Sequence, residues 1–552
     1  MKYKFPSKKK NIYYLISVYY IFIFAILFFT SLNYNYVEGD DASIILHHLF
    51  GRDAALQKPF SSYHSLFDTY LGFFGLASEV AYRKFALLST FIMTLASLSV
   101  LSYCVLVKTK QTNLKGTFFL LMLVPFMIPE LLFEGLYINP TMHSFFFLLL
   151  SYCSLLHYFK KGKNYFLILT AIAFGIATGF RWVNGFFIFF LLAELFLHYS
   201  QVNKIENKNV FTDKRFYATS IIFGVSCILT ILTFIAISGY SIIDIKDTFL
   251  FARSYMAEPI STSTKIKAAF INNFTFLTPA CVILFILGIV ATIKKESKLL
   301  LPLLLTYLPF AILITAVGTF KTMIFVFPAF LLIVLTGWNY CSKRVRLLIL
   351  IVIFIPWLIG VKVNYNNVVW GPDFTFSIKN NSDKKTANSD IGITLHGGLA
   401  IPTPEGPRPL GGFFSVLLGG EWYAIVEKIN QEREDAFQFA IKNNVRILQG
   451  SDHCMMYTKL FEKGYTSNDP LFYTKNGLYC ERTFTNATGD QLEVNFFILR
   501  DNLYDKASMI QFGNEKMVFY SVIPNFLSKL ENKYQEQFQR KGAFWGILEI
   551  EE

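Results

Sequence analysis

The sequence predicts a polytopic α-helical membrane protein with a polar C-terminal domain, and three observations carry that expectation. Mean hydropathy is +0.42 and 53% of the 552 residues are hydrophobic, a share that soluble chains approach only when glycine is counted as well. Runs of about 18 to 23 apolar residues recur, each long enough to cross roughly 30 Å of hydrocarbon as helix. Basic residues fall in alternate short loops, which is how a chain fixes its orientation in a bilayer.

In chain order, eleven spans are read at about 11–32, 86–107, 117–131, 143–159, 164–180, 183–200, 217–238, 274–293, 299–317, 323–340 and 347–363. The first is too long for a cleavable signal peptide, and no small-residue cleavage site follows it. Lys2, Lys4, Lys8, Lys9 and Lys10 precede it. Further basic loops hold Lys108, Lys110 and Lys115; Lys160, Lys161 and Lys163; Lys204, Lys208, Lys214 and Arg215; Lys294, Lys295 and Lys298; and Lys343, Arg344 and Arg346. All fall on one side of the eleven-span count, which places the N-terminus in the cytoplasm and the C-terminal tail outside.

The net charge of +13 divides unevenly. From Asn364 onward there are 19 basic and 23 acidic residues, a net of about −4, so the membrane part carries about +17. That excess is topological, and no nucleic-acid partner is expected. The division suggests a membrane domain over 1–363 with a large outer loop at 33–85, a linker at 364–390, and an extracytoplasmic mixed α/β domain at 391–552. Within the last, the stretches at 444–450, 492–500, 516–524 and 544–552 read as strands, and those at 432–444 and 525–541 as helices. Cys454 and Cys480 could form a disulfide outside the cell; Ser451–Cys454 (SDHC) reads as a surface loop.

The first outer loop gathers Glu38, Asp40, Asp41, Asp53, His47, His48 and His64 within about thirty positions. Ionisable groups at a membrane boundary are costly to desolvate, so such a cluster marks a functional site. Residues 42–51 have helical spacing, with Asp40 and Asp41 at the start, where one of them could serve only as a cap. Other outer loops contribute Glu130, Glu134, Asn139 and His143, then Arg181 and Asn184, then Arg253, then Lys321. Glu134 and His143 could pair with each other, and Arg181 could instead snorkel to lipid headgroups. Together these groups suit transfer of a sugar from a lipid phosphate. A carboxylate, Asp40 or Asp41, would deprotonate the acceptor hydroxyl. Lys58, Arg181, Arg253 and Lys321 would neutralise the departing phosphate. One in-line displacement would invert the anomeric carbon. Glu38, His64, Glu134, Asn139 and His143 are the candidate substrate contacts.

The arrangement resembles the GT-C superfamily of polyprenyl-phosphate-sugar-dependent glycosyltransferases, which includes protein O-mannosyltransferases and lipid A aminoarabinose transferases. The resemblance covers about residues 10–363. It rests on the acidic pair after span one (GDDA), the helical stretch behind it, and QKPFSSYH with Lys58, Pro59 and His64. GTFKTMIFVFPAFLLI, from Gly318, is similar to a late family pattern. The resemblance implies Asp40 as the catalytic acidic residue and Lys58 and Lys321 as phosphate contacts. Two departures stand out: Phe60 replaces a second proline, and the interval from Asp40 to Lys58 is short.

The expected partners are a polyprenyl-phosphate-linked sugar, an acceptor glycan, lipid or protein, and the bilayer, in a bacterial inner membrane with the site on the extracytoplasmic face. No cofactor is assigned with certainty, and a divalent metal could be held by His47 or His48 with Asp40 or Asp41. Two alternatives stay open: an oligosaccharide polymerase or ligase using diphosphate-linked glycans, with Arg253 in a large late outer loop, and a non-enzymatic transporter or flippase. The transporter reading expects charges buried mid-span, where only Glu194 qualifies.

Overall fold

The computed structural model describes residues 7–31, 79–108, 114–128, 140–206, 209–238, 279–295, 297–314 and 324–359, a few isolated positions beside them, and short strands and turns between 361 and 551. All eleven apolar segments contain helix: α1 (Ser7–Ser31), α2 (Glu79–Lys108), α3 (Leu114–Met127), α4 (Thr141–Lys161), α5 (Asn164–Phe180), α6 (Ile188–Ile205), α7 (Lys214–Ser238), α8 (Pro279–Lys295), α9 (Leu300–Ile314), α10 (Phe327–Tyr340) and α11 (Lys343–Ile359). Among the described residues, 84–108, 141–161, 182–205 and 214–237 are long and apolar enough to cross a membrane, and several shorter apolar helices accompany them. In hydrocarbon every backbone amide must be satisfied within its own segment, and helix does this for a single span.

Helix directions follow from named contacts. Ser97 Oγ donates to the Met142 carbonyl at 3.3 Å, and seven residues on, the Cys104 thiol meets the Leu149 carbonyl at 3.9 Å. Helices α2 and α4 therefore run parallel. Gly162, with φ 61°, closes α4 by donating its N–H to the Tyr158 carbonyl at 2.8 Å. A left-handed residue here favours glycine, and the chain turns back at once into antiparallel α5. Tyr19 of α1 donates to the Met122 carbonyl of α3 at 2.9 Å, and Tyr20 to that of Leu121. Rings of α8 and α10 meet at Phe285–Phe330, 4.6 Å between centroids, and Lys295 lies over Tyr340. Both pairs are 45 residues apart, so these two helices are also parallel.

The interior is built from large side chains, with Tyr20, Phe24, Phe145, Tyr152 and Phe187 fully buried. The opposite faces are apolar as well. On α7, Ile221, Ile228 and Leu229 are about 60% exposed, an apolar surface that suits lipid rather than water. Hydroxyls of Thr94, Ser102, Thr170, Thr178 and Thr306 each return to a carbonyl four residues earlier, which satisfies them inside an apolar bundle.

One set of helix ends carries most of the basic residues, and those ends meet. Lys9 Nζ donates to the Leu106 carbonyl near the end of α2 at 2.7 Å. Arg346 donates to the Trp338 and Asn339 carbonyls at 2.9 and 3.1 Å, covering the C-terminus of α10. A cation is favoured there by the helix dipole. Gly116, at the start of α3, abuts the same Trp338 and Asn339 side chains.

Beyond α11 the structure has β1 (Val361–Asn364) paired with β2 (Asn367–Trp370), β3 (Thr375–Ile378) paired with β4 (Ile391–Thr394), and a seven-stranded sheet. That sheet comprises β5 (Arg446–Gln449), β6 (Tyr473–Thr474), β7 (Gly477–Thr485), β8 (Gln491–Phe497), β9 (Lys516–Tyr520), β10 (Gln535–Arg540) and β11 (Trp545–Glu551), in the order β10-β11-β9-β5-β8-β7-β6. Strand β5 is parallel to β8 and β9 and the other pairs are antiparallel. The four strands expected from sequence are β5, β8, β9 and β11. The helix expected over 525–541 is corrected: its last third is β10, paired with β11 in a register that sets Phe538 opposite Leu548 along the backbone. Gln and Glu favour helix locally, but pairing with an apolar neighbour overrides that preference at a sheet edge. Most of the helix expected at 432–444 lies outside the described residues.

Candidate functional site

Opposite the basic ends, α4 begins where α5 finishes. Pro140, with φ −74°, leads into α4. At the other side Arg181 takes an extended backbone, φ −150° and ψ 111°, which ends α5 and opens a short 3-10 turn over Trp182–Phe187 before α6. This joint sets Arg181 and Asn184 against the first turn of α4. Arg181 Nη1 donates to Thr141 Oγ1 at 2.7 Å, and Asn184 Nδ2 donates to Ser144 Oγ. Thr141 and Ser144 share one helix face because they are three residues apart. On a neighbouring face His143 Nε2 meets Ser89 Oγ of α2 at 2.6 Å, and Ser89 Oγ meets the Tyr70 hydroxyl at 2.8 Å. The rings of Tyr70 and Phe180 lie 5.7 and 5.5 Å from that of His143.

These groups are out of solvent: His143, Ser144 and Asn184 are 0% exposed and Arg181 is 4% exposed. A guanidinium beside a helix start adds charge to the positive end of a helix dipole, and the pair together favours an anion. The Asn184 amide orientation follows from its partner. Ser144 has one hydroxyl proton, given to the Ala177 carbonyl at 2.6 Å, so its oxygen must accept from Asn184, through the Nδ2 side. Asn184 Oδ1 is then buried with no donor among the described residues, a situation that costs about 1–3 kcal/mol when nothing fills it.

Of the candidate residues from sequence, Arg181 and His143 fall in this cluster. Glu38, Asp40, Asp41, Lys58, His64, Glu134, Asn139, Arg253 and Lys321 lie outside the described residues, as do His47, His48 and Cys454. Snorkelling of Arg181 to headgroups is corrected: its side chain turns inward to Thr141. Thr141, Ser144, Ser89 and Tyr70 were not anticipated. Among the described residues no three His, Cys, Asp or Glu side chains are grouped to hold a metal.

Glu194, the one mid-span acid, is 3% exposed and lies 2.5 Å from Lys108 at the end of α2. The Tyr152 hydroxyl donates to its other oxygen at 3.4 Å, and Lys108 stands 5.9 Å from the Tyr152 ring centre. This carboxylate is neutralised by a lysine from the basic end, a structural pairing between α2 and α6.

No protein-family model, curated protein or solved structure matches the chain. What the bundle and its apolar outer faces define is a class: a helical membrane protein.

Proposed function

We propose that this protein is a membrane glycosyltransferase that moves a sugar from a polyprenyl-phosphate donor to a glycan, lipid or protein acceptor at the outer membrane face, with inversion. The observation that carries the reading is the meeting of Arg181 and His143 at the start of α4, away from the ends that carry Lys108, Lys160 and Lys161. Buried cationic and polar groups at a helix start suit a lipid phosphate. In this reading the eleven helices span the bilayer with the N-terminus in the cytoplasm. The sheet-containing tail stands outside, and the first outer loop brings Asp40 and Asp41 to the same end. Lys58, Lys321 and Arg253 join Arg181 around the phosphate, and a bacterial inner membrane is the setting.

Asp40 is the general base and Asp41 its neighbour. Asp40→Asn keeps the shape and still accepts a hydrogen bond but has no basicity. Transfer from polyprenyl-phosphate sugar by the purified variant should fall roughly 10²–10⁴-fold, with lipid binding retained. If Asp40 merely caps a helix, asparagine caps as well and turnover stays near normal. Near-normal turnover in both Asp40→Asn and Asp41→Asn would refute the enzyme assignment.

A further inference from the structure

The orphaned acceptor of Asn184 points to what binds beside the phosphate. A phosphate diester carries no proton at neutral pH, so it can meet Arg181 and the amides at the α4 start but has nothing to give Asn184 Oδ1. That oxygen needs an O–H or N–H donor. Its orientation is locked, because Ser144 holds the Nδ2 side and Ser144 is itself committed to the Ala177 carbonyl. The Asn184 side chain is 0% exposed, and among the described residues no donor reaches its oxygen. It also packs against the same first turn of α4 as Arg181, with Thr141, the Arg181 partner, three residues before Ser144. A lipid-linked sugar presents both chemistries together: an anionic phosphate and, one or two bonds from the anomeric carbon, hydroxyl donors.

We propose that Asn184 determines specificity for the sugar, with Oδ1 accepting a hydrogen bond from a hydroxyl of the hexose or pentose while the attached phosphate lies at the α4 start beside Arg181. The proposal rests on the lipid-phosphate-sugar reading above and adds to it a residue that reads the sugar rather than the phosphate. The competing explanation is a single buried water donating to Oδ1.

The test measures binding to the full-length protein in nanodiscs. The probes are bare polyprenyl phosphate and polyprenyl-phosphate glucose, mannose and galactose. The wild-type protein should bind at least one glycosylated lipid more tightly than the bare one. Asn184→Leu should erase that preference, weakening the glycosylated lipid about tenfold, the effect of one lost hydrogen bond, and leaving bare-lipid binding unchanged. Asn184→Asp keeps an acceptor oxygen and should retain the preference. Ser144→Ala removes the partner of Nδ2 without touching Oδ1 and should also retain it. A wild-type preference that persists in Asn184→Leu would overturn the proposal in favour of water, as would equal losses on bare and glycosylated lipid in both Asn184→Leu and Asn184→Ala. Wild-type protein that binds the bare lipid and none of the three sugars more tightly would also overturn it, leaving the phosphate reading in place. Wild-type protein that binds none of the four lipids would remove the phosphate reading and this one with it.

Discussion

Single side chains in this bundle fall into two kinds, those tied up by their own helix and those that tie helices together. Glu194 is of the second kind. Removing Lys108 would strand a buried carboxylate, and breaking such a pair from one side costs about 3–5 kcal/mol. Lys108→Ala should therefore lower the melting temperature in detergent sharply, whereas the double change Lys108→Met with Glu194→Leu should recover most of it. Asp213 gives a pH-dependent counterpart. Its Oδ1 accepts from the Arg215 amide at 2.9 Å and from Arg215 Nε at 3.1 Å, capping the start of α7. The Arg215 side-chain bonds, then the backbone bond, hold its carboxyl below the ordinary range. A depressed folded pKa means the stabilisation is present above about pH 4, the unfolded value, and is lost as pH falls through the folded one. Asp213→Asn still caps but does not titrate. Thermal midpoints of wild type and Asp213→Asn should converge on acidification below pH 4; parallel curves would exclude Asp213 as the titrating group. Charge made Arg181 and His143 visible in the sequence, since such residues are rare in apolar runs. Thr141, Ser144 and Ser89 were invisible because most hydroxyls in these helices bond their own carbonyls, as Thr94 and Ser102 do.

Whole elements were more legible, for a physical reason. A span must satisfy its backbone internally over a long apolar run, so composition alone locates the helices. The Trp182–Phe187 turn was not legible, being as apolar as the helix it precedes; the break comes from Arg181 leaving helical geometry. Nor was β10, whose glutamines read as helix until β11 supplies a partner. Glycines separate packing from propensity. A Cβ on Gly288 of α8 would stand 2.1 Å from the Ile333 carbonyl oxygen of α10, and one on Gly337 would stand 2.1 Å from that of Leu284. Neither backbone can yield without parting the helices. Gly224 of α7 has nothing within 4 Å of its would-be Cβ. Gly288→Ala should destabilise by about 1–3 kcal/mol through overpacking, while Gly224→Ala should stabilise by about 1 kcal/mol through helix propensity. Melting of the two variants side by side checks this; equal shifts would mean that the α8–α10 contact is not close.

Across the whole molecule, the distribution of charge is what joins fold to function. Parallel α2 and α4, with α5 returning between loops, bring Lys108, Lys160, Lys161 and Lys163 to one end and His143, Arg181 and Asn184 to the other. Lys295 over Tyr340 and Arg346 on the α10 carbonyls extend the basic end through α8, α10 and α11. Basic loops are held on the cytoplasmic side when a membrane protein inserts, so the polar cluster should face outward and Ser382, after α11, should lie outside. A phosphatase reporter that works only after export, fused after Ser382, should be active, and the same reporter fused after Asn207, between α6 and α7, should be silent. Activity after Asn207 with silence after Ser382 would invert the molecule and place the Arg181 cluster in the cytoplasm. Activity at both would mean an odd number of the helices between them fails to cross. Either result would deprive the outer-face sugar donor of its site, whereas the expected pair of results puts Arg181, Asn184 and the first outer loop on one side.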